Sequence, residues 1–316
     1  MNAYVAATDP DWFQFLSMQQ DVDEVNFWYP KPWGGHFRVL SPGQPLLFKL
    51  KRPYNHIAGG GYFRHYWEVP LSIAWEAFGT KNGAATHLDV WRSIKRLRRE
   101  VPRAGDDPVI GCVLLVEPFF WPRELWIEEP LGWHPNIQRG RTYDLRIEEG
   151  RQLWTEVLDR MRRAGSSVAR EPQREAPAAV EVPGGYGDSF LQPRRLGQGT
   201  FRALVTDVYE RRCAITREKA LPALDAAHIQ PFSEVRAHSV RNGILLRSDV
   251  HKLFDAGYVT ITPEYRVEAS RRMKEDFDDG DNYLSLHGSS VWVPKLPSVQ
   301  PDAEALQWHN ENRYRG

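Results

Sequence analysis

The stretch SSVAREPQREAPAAVEVPGGYGDSFLQPRR, residues 166–195, constrains the fold of this chain more than any other feature. It is rich in Pro, Gly, Ala and charge and has no sustained apolar period, so it offers no face with which to join a packed layer. A chain of 316 residues interrupted in this way is expected to build two cores rather than one. The tryptophans agree with that division, because ten of the twelve precede residue 165. The expected organisation is a domain over 1–165, a linker over 166–195 and a second domain over 196–316.

Composition narrows the class. Hydrophobic residues at 41% suffice for packed cores, while a mean hydropathy of −0.54 and the lack of a long apolar run argue against a membrane span. The opening MNAYVAATDPDWF has neither a basic leader nor an apolar signal segment, so a soluble, cytoplasmic protein is expected. Cys112 and Cys213 lie far apart with no CxxC pair, which suggests neither a disulfide framework nor a zinc knuckle. With 41 basic and 41 acidic residues the net charge is 0, so any contact with a polyanion must rest on local charge.

In the first half, FRVLSPGQPLLFKLK and DPVIGCVLLVEPFFW read as strands, and NHIAGGGYFRHYWEVP joins a Gly cluster to an aromatic strand. LSIAWEAFG and HLDVWRSIKRLRRE have helical spacing, the second with Leu88, Trp91, Ile94 and Leu97 on one face. RTYDLRIEEGRQLWTEVLDRMRR reads as a closing strand and an amphipathic helix. The expectation is an α+β domain built on a small, strongly bent sheet or barrel with flanking helices.

In the second half, GTFRALVTDVYERR is a helix and CAITREKALPALDAAHI two strands around a turn. ILLRSDVHKLFDAG gives a strand and then a helix with Ser248 as N-cap and Gly257 as its stop. YVTITPEYRVEAS is a hairpin turning at Pro263 and Glu264. Three polar residues punctuate this region: His228 in DAAHIQPF, Asn242 in RNGILLR and His251 in DVHKLFDAGY, at intervals of 242 − 228 = 14 and 251 − 242 = 9. A strand, a loop and a helix at these intervals can converge on one divalent cation. Cleaving a phosphodiester needs a base for the nucleophile and charge neutralisation at the phosphate; one His and one metal supply both. Taken singly, each residue is more often a buried His, a surface His or a turn former. In order and with matching apolar flanks, they point to chemistry.

Residues 195–275, through CAIT, DAAHI, NG and HKLFDAGY, resemble the HNH endonucleases of the ββα-metal fold. The resemblance implies hydrolytic cleavage of DNA with Mg²⁺, Mn²⁺ or a similar divalent ion. It also implies His228 as general base, Asn242 as the brace of the loop and His251 as a metal ligand. Many relatives carry a second ligand directly before the first His, where this chain has Ala227. Asp225 is the candidate that replaces it. Arg194, Arg195, Arg202, Arg211, Arg212, Arg236, His238, Arg241, Arg247 and Lys252 surround the motif, with Arg241 and Lys252 the leading candidates for backbone phosphates.

NFWYPKPWGGHFRVL, PYNHIAGGGYF, GCVLLVEPFFW and RGRTYDL, across roughly residues 20–147, resemble the PUA-like superfamily, in particular its EVE and SRA branches that read modified bases. A base swung out of the duplex needs aromatic walls and polar edge readers. Trp28, Trp33, Tyr62, Phe63 and Trp121 are the candidate walls, Asn55 and His56 the readers, and Gly59–Gly61 a place for close backbone approach. Together the halves resemble modification-dependent, type IV-like restriction endonucleases. The expected partner is double-stranded DNA carrying modified cytosine, as in defence against phage, with pairing of two copies on DNA through the segment SVQPDAEALQWHNENRYRG. Two alternatives remain open: an HNH nuclease with a sequence- or structure-specific reader, and a non-catalytic DNA- or RNA-binding protein on a disabled scaffold.

Overall fold

The computed structural model describes residues 1–35, 37–99, 103, 105–130, 132–168, 196–231, 235 and 239–316. It forms two compact units, Met1–Arg195 and Leu196–Gly316. Most of the stretch read as a linker, 169–195, lies outside the described residues, as do Arg194, Arg195, Arg236 and His238. The final helix of the first unit continues through Val168, three residues into that stretch.

The first unit runs β1 (Asn2–Thr8), α1 (Pro10–Ser17), β2 (Glu24–Tyr29), β3 (Pro45–Leu50), β4 (Ile57–Pro70), α2 (Leu71–Phe78), α3 (His87–Arg98), β5 (Val109–Phe120), β6 (Gly140–Asp144) and α4 (Glu148–Val168). Its six strands make one sheet in the order β2-β5-β4-β3-β1-β6. Pairing is antiparallel except between β1 and β3, whose connection passes through α1 and β2. β2 and β6 stand at opposite edges, so among the described residues the sheet is open and the expected barrel does not close. On one face Trp12, Phe13 and Leu16 of α1 pack over Phe27, Phe48 and Leu115. On the other, Leu153 and Val157 of α4 cover Val5, Leu47, Trp121 and Tyr143. Full burial of each large apolar side chain contributes about 1.5–3 kcal/mol, which is what holds these helices to the sheet.

Gly59 and Gly60 lie inside β4, where a Cβ would meet Phe119 O at 2.2 Å and Leu46 O at 2.7 Å. Their bareness admits the neighbouring strands and the register shift between Gly60 and Tyr62, so the close approach expected for a nucleotide is taken by the sheet itself. The inward face of α3 is also rotated from the expected one. Val90, Ile94 and Lys95 are buried, whereas Leu88 and Leu97 are 48% and 43% exposed. Lys95 is drawn in by Asp106 at 2.6 Å.

The second unit runs α5 (Gln198–Val208), β7 (Leu224–His228), β8 (Gly243–Arg247), α6 (Ser248–Asp255), β9 (Val259–Ile261), β10 (Val267–Ala269), α7 (Arg272–Phe277), α8 (Asp281–Leu284) and α9 (Ala303–Asn312). β7 pairs with β8 and β9 with β10, both antiparallel. Phe201 and Val205 of α5, Ile244 and Leu246 of β8, Val250 and Phe254 of α6 and Leu306 of α9 share one core. Of the two strands expected in CAITREKALPALDAAHI only β7 forms; Ala214–Thr216 make a turn and the chain stays irregular through Ala220. Cys213 Sγ accepts the N–H of Thr216 and of Arg247, each at 3.3 Å, and the Glu218 carboxylate accepts those of Lys219 and Ala220. The bonds within Cys213–Ala220 satisfy backbone that a ladder would otherwise engage, and the Arg247 contact ties the turn to β8. Ser248 begins α6 instead of capping it; Arg247 holds the cap position and clasps Asp249 in the first turn at 2.6 and 2.7 Å. Gly257 ends that stretch with φ +79°, as its spacing predicts. No described helix is long and apolar enough to cross a membrane.

Candidate active site of the C-terminal unit

The β7–β8 pair sets His228 opposite Gly243. The His228 ring lies flat on Phe201 of α5, with centroids 4.1 Å apart and planes 10° from parallel. Gly243 makes room for that stack, since a Cβ there would sit 2.8 Å from Phe201 Cζ and 2.6 Å from Val205 Cγ2.

Gln230 lies two residues past the end of β7, and Asn242 immediately precedes β8. Asn242 is 5% exposed, and its side chain grips the backbone of Gln230 twice: Oδ1 accepts the Gln230 N–H and Nδ2 donates to the Gln230 carbonyl, both at 2.9 Å. The Asn242 carbonyl also accepts the Ile229 N–H at 3.0 Å. An amide is needed for this, because only Asn or Gln offers a donor and an acceptor side by side. The next residue back, Arg241, directs its guanidinium to Asp302 at 3.6 Å and is half exposed.

Helix α6 carries His251 toward β7. Its Nδ1 lies 3.5 Å from Asp225 Oδ2 and its Nε2 3.2 Å from Asp255 Oδ2, one helical turn on. Partial burial lifts the Asp255 carboxyl above the ordinary carboxylate range; His251 and Arg313 pull it back, and Asp225 adds to the rise. Asp255 is the residue the sequence reading missed. The signal was available in the i, i+4 spacing of His251 and Asp255, which places both on one helical face. Lys252, between them, is exposed.

Imidazole and carboxylate are the donors a hard divalent cation takes. The two carboxylates, however, approach different nitrogens of one ring, so they do not close a three-ligand cage with it. Among the described residues no group of three His, Cys, Asp or Glu side chains does so. The pair His251 and Asp225 fits better. Their 3.5 Å separation is loose for a hydrogen bond, and the contact brings the strand and the helix together at one point. Ala227, where a ligand was sought, is fully buried in the core.

The aromatic candidates of the first unit divide between the two faces of the sheet. Tyr62 packs near Phe119 and Met161, and Trp121 lies beneath α4. Phe63 and Trp33 join the cluster on the other face, around Phe37. Trp28 donates its indole N–H to Asn82 O at 2.9 Å. Asn55 accepts from Lys49 at 3.4 Å, and His56 lies beside Trp126. Unforeseen in the sequence, Glu68 accepts N–H bonds from Trp33 and Gly35 and the Tyr66 hydroxyl, at 2.8–3.1 Å, while Arg139 covers the Trp33 ring at 5.0 Å. Trp33 Nε1 is enclosed with no partner among the described residues.

No curated protein matches the chain. The ASCH structure from Zymomonas mobilis is similar at 12% identity over 48% of this chain and 94% of that one, with a TM-score of 0.31. The modification-dependent TagI restriction endonuclease is similar at 13% identity over 86% of this chain and 62% of that one, with a TM-score of 0.29. Scores this low describe a likeness and carry no activity across. The family comparison is sharper: the HNH endonuclease model matches residues 213–262, which contain His228, Asn242, His251, Asp225 and Asp255. Residues 213–262 of the C-terminal unit thus match the HNH endonuclease family model.

Proposed function

We propose that the protein is a modification-dependent DNA endonuclease whose C-terminal unit hydrolyses phosphodiester bonds and whose N-terminal unit recognises a modified base, with modified cytosine the leading candidate. The observation that carries the reading is the meeting of Asp225 and His251 inside the segment that matches HNH endonucleases. In this account His251 and Asp225 hold a divalent cation, Mg²⁺ or Mn²⁺, which when bound neutralises charge on the scissile phosphate. His228, its ring stacked on Phe201, takes the proton from the attacking water. Asn242 keeps the loop after His228 in register. Arg241 and Lys252 meet backbone phosphates on either side.

For the reader, a base stacks on one face of a sheet only. We assign the face of Trp33 and Phe63, where an enclosed indole N–H, the Glu68 carboxylate and Arg139 supply polar groups beside aromatic rings. Double-strand cutting requires two such sites, so we expect two copies to act together on DNA. Digestion of matched plasmids with and without cytosine modification, with Mg²⁺ or Mn²⁺, tests the whole reading. Cutting confined to the modified plasmid is expected. Equal cutting of both would move the reading to a sequence- or structure-specific nuclease, and cutting of neither, under varied metals, to a binding protein.

A further inference from the structure

Beyond residue 262, where the HNH match ends, the chain returns to the site. Helix α9 touches both of the elements that have to be held in register. At its start, Asp302 caps the helix by accepting the Glu304 N–H, donates its own N–H to Arg241 O at 2.9 Å, and lies 3.6 Å from the Arg241 guanidinium. Arg241 is the neighbour of the loop brace Asn242. In the middle, Ala305 and Leu306 sink into the shared core.

At the far end, His309 is 2% exposed and lies flat on Phe254 of α6, with ring centroids 3.7 Å apart. Its Nε2 is 3.1 Å from the Phe254 carbonyl and its Nδ1 2.8 Å from Thr260 Oγ1 of β9. A carbonyl only accepts, so Nε2 carries the proton. Phe254 is three residues beyond His251 and one before Asp255. Two residues past the helix C-cap, the Arg315 N–H donates to Gly257 O, and the Ser270 hydroxyl donates to Arg315 O at 2.7 Å. A Cβ on Gly257 would strike Arg313 O at 2.0 Å, which shows how closely this tail is seated against the end of α6.

We propose that segment 302–315 is an intramolecular clamp that fixes α6 and the Asn242 loop relative to each other, and that His309 is a positioning residue for the His251 side of the nuclease site. The proposal rests on the nuclease reading for its activity arm only. It also assigns the C-terminal segment a role within its own chain, where the sequence suggested contact between copies.

The test uses the full-length protein. In His309→Ala, amide hydrogen exchange across residues 252–258 should speed at least tenfold in metal-free protein, while the first unit is unchanged. With DNA at saturation, the cleavage rate should fall at least tenfold with DNA affinity within twofold of wild type, the pattern of misplacement and not of lost binding. His309→Gln, whose amide N–H reaches about where Nε2 does, should recover most of both. Asp302→Ala, at the exposed start of α9, is measured in parallel and should speed exchange at residues 239–243 even if His309→Ala fails to fold. Unchanged exchange at both ends, or a folded His309→Ala that cleaves within twofold of wild type, overturns the clamp. Absence of cleavage by the wild type would instead count against the nuclease reading and leave the exchange arm to decide this one.

Discussion

Replacing Asn242 by Ala removes one side chain and strips two backbone groups of their partners, the N–H and the carbonyl of Gln230. Leaving a buried polar group unpaired costs about 1–3 kcal/mol. Gln230 is only half-buried, so water replaces part of each bond and the pair is worth about 2–3 kcal/mol. The loss is local, because the Ile229 N–H to Asn242 O bond and the β7–β8 ladder do not use the side chain. It therefore shows most clearly in hydrogen exchange at the Gln230 amide, which should speed about 30- to 150-fold. Asn242→Asp keeps the acceptor and loses the donor, so it should fall between. Protection at Gln230 within threefold of wild type in Asn242→Ala would refute the brace.

Other outcomes follow from the same geometry. Burial holds the His309 imidazole well below its ordinary value of 6.5, at about 4, with its bond to the Phe254 carbonyl opposing and Arg313 adding to the drop. Because the folded value is the lower, the unfolded chain takes up the proton first as pH falls. The stability tied to His309 is thus fully present above about pH 6.5 and lost toward pH 4, by about 3 kcal/mol; urea unfolding of wild type and His309→Gln across this range should show a slope in the first that is missing in the second. Gly243→Ala drives a methyl into Phe201 and Val205 and should cost about 1–3 kcal/mol, while loosening the ring against which His228 lies; crystal structures or ring-proton chemical shifts would report that. Chelation should abolish cleavage, added Mg²⁺ or Mn²⁺ restore it, and His251→Ala weaken Mn²⁺ binding measured by calorimetry.

What could be read from residue order was whatever local periodicity and punctuation decide. The spacing of Phe201, Leu204, Val205 and Val208 gives α5, although Leu204 stays outside the buried core; Gly257 stops α6, and Pro263 with Glu264 turns the hairpin, as the structure has them. Where a distant partner decides, the order of residues misleads. Cys213–Ala220 has strand-like composition, yet Cys213 Sγ draws in the N–H of Arg247, 34 residues away, and the backbone turns around it. On α3 the expected stripe keeps Ile94 but leaves Leu88 and Leu97 exposed, while Val90 and Lys95 turn inward, Asp106 from the following loop neutralising the lysine. The candidate site divides the same way. His228, Asn242 and His251 were visible as a motif, and Asp225 was found beside His251, whereas Asp255 was overlooked although its helical spacing was plain. The clamp through His309 was invisible, since it joins residues 55 apart through a ring stack and a carbonyl. The aromatic residues expected to wall one pocket are split by the pleat, as adjacent Tyr62 and Phe63 must be.

In the proposed reaction a metal held by His251 and Asp225 and a base at His228 act together to cut DNA. Single-turnover cleavage of a modified duplex by His228→Ala and wild type, with Mn²⁺ binding followed in the same samples, tests it most directly. Loss of cleavage by at least a hundredfold, with Mn²⁺ affinity within threefold of wild type, is the expected result. Cleavage at the wild-type rate, or loss of cleavage that tracks loss of Mn²⁺ binding, would contradict the roles assigned to these residues.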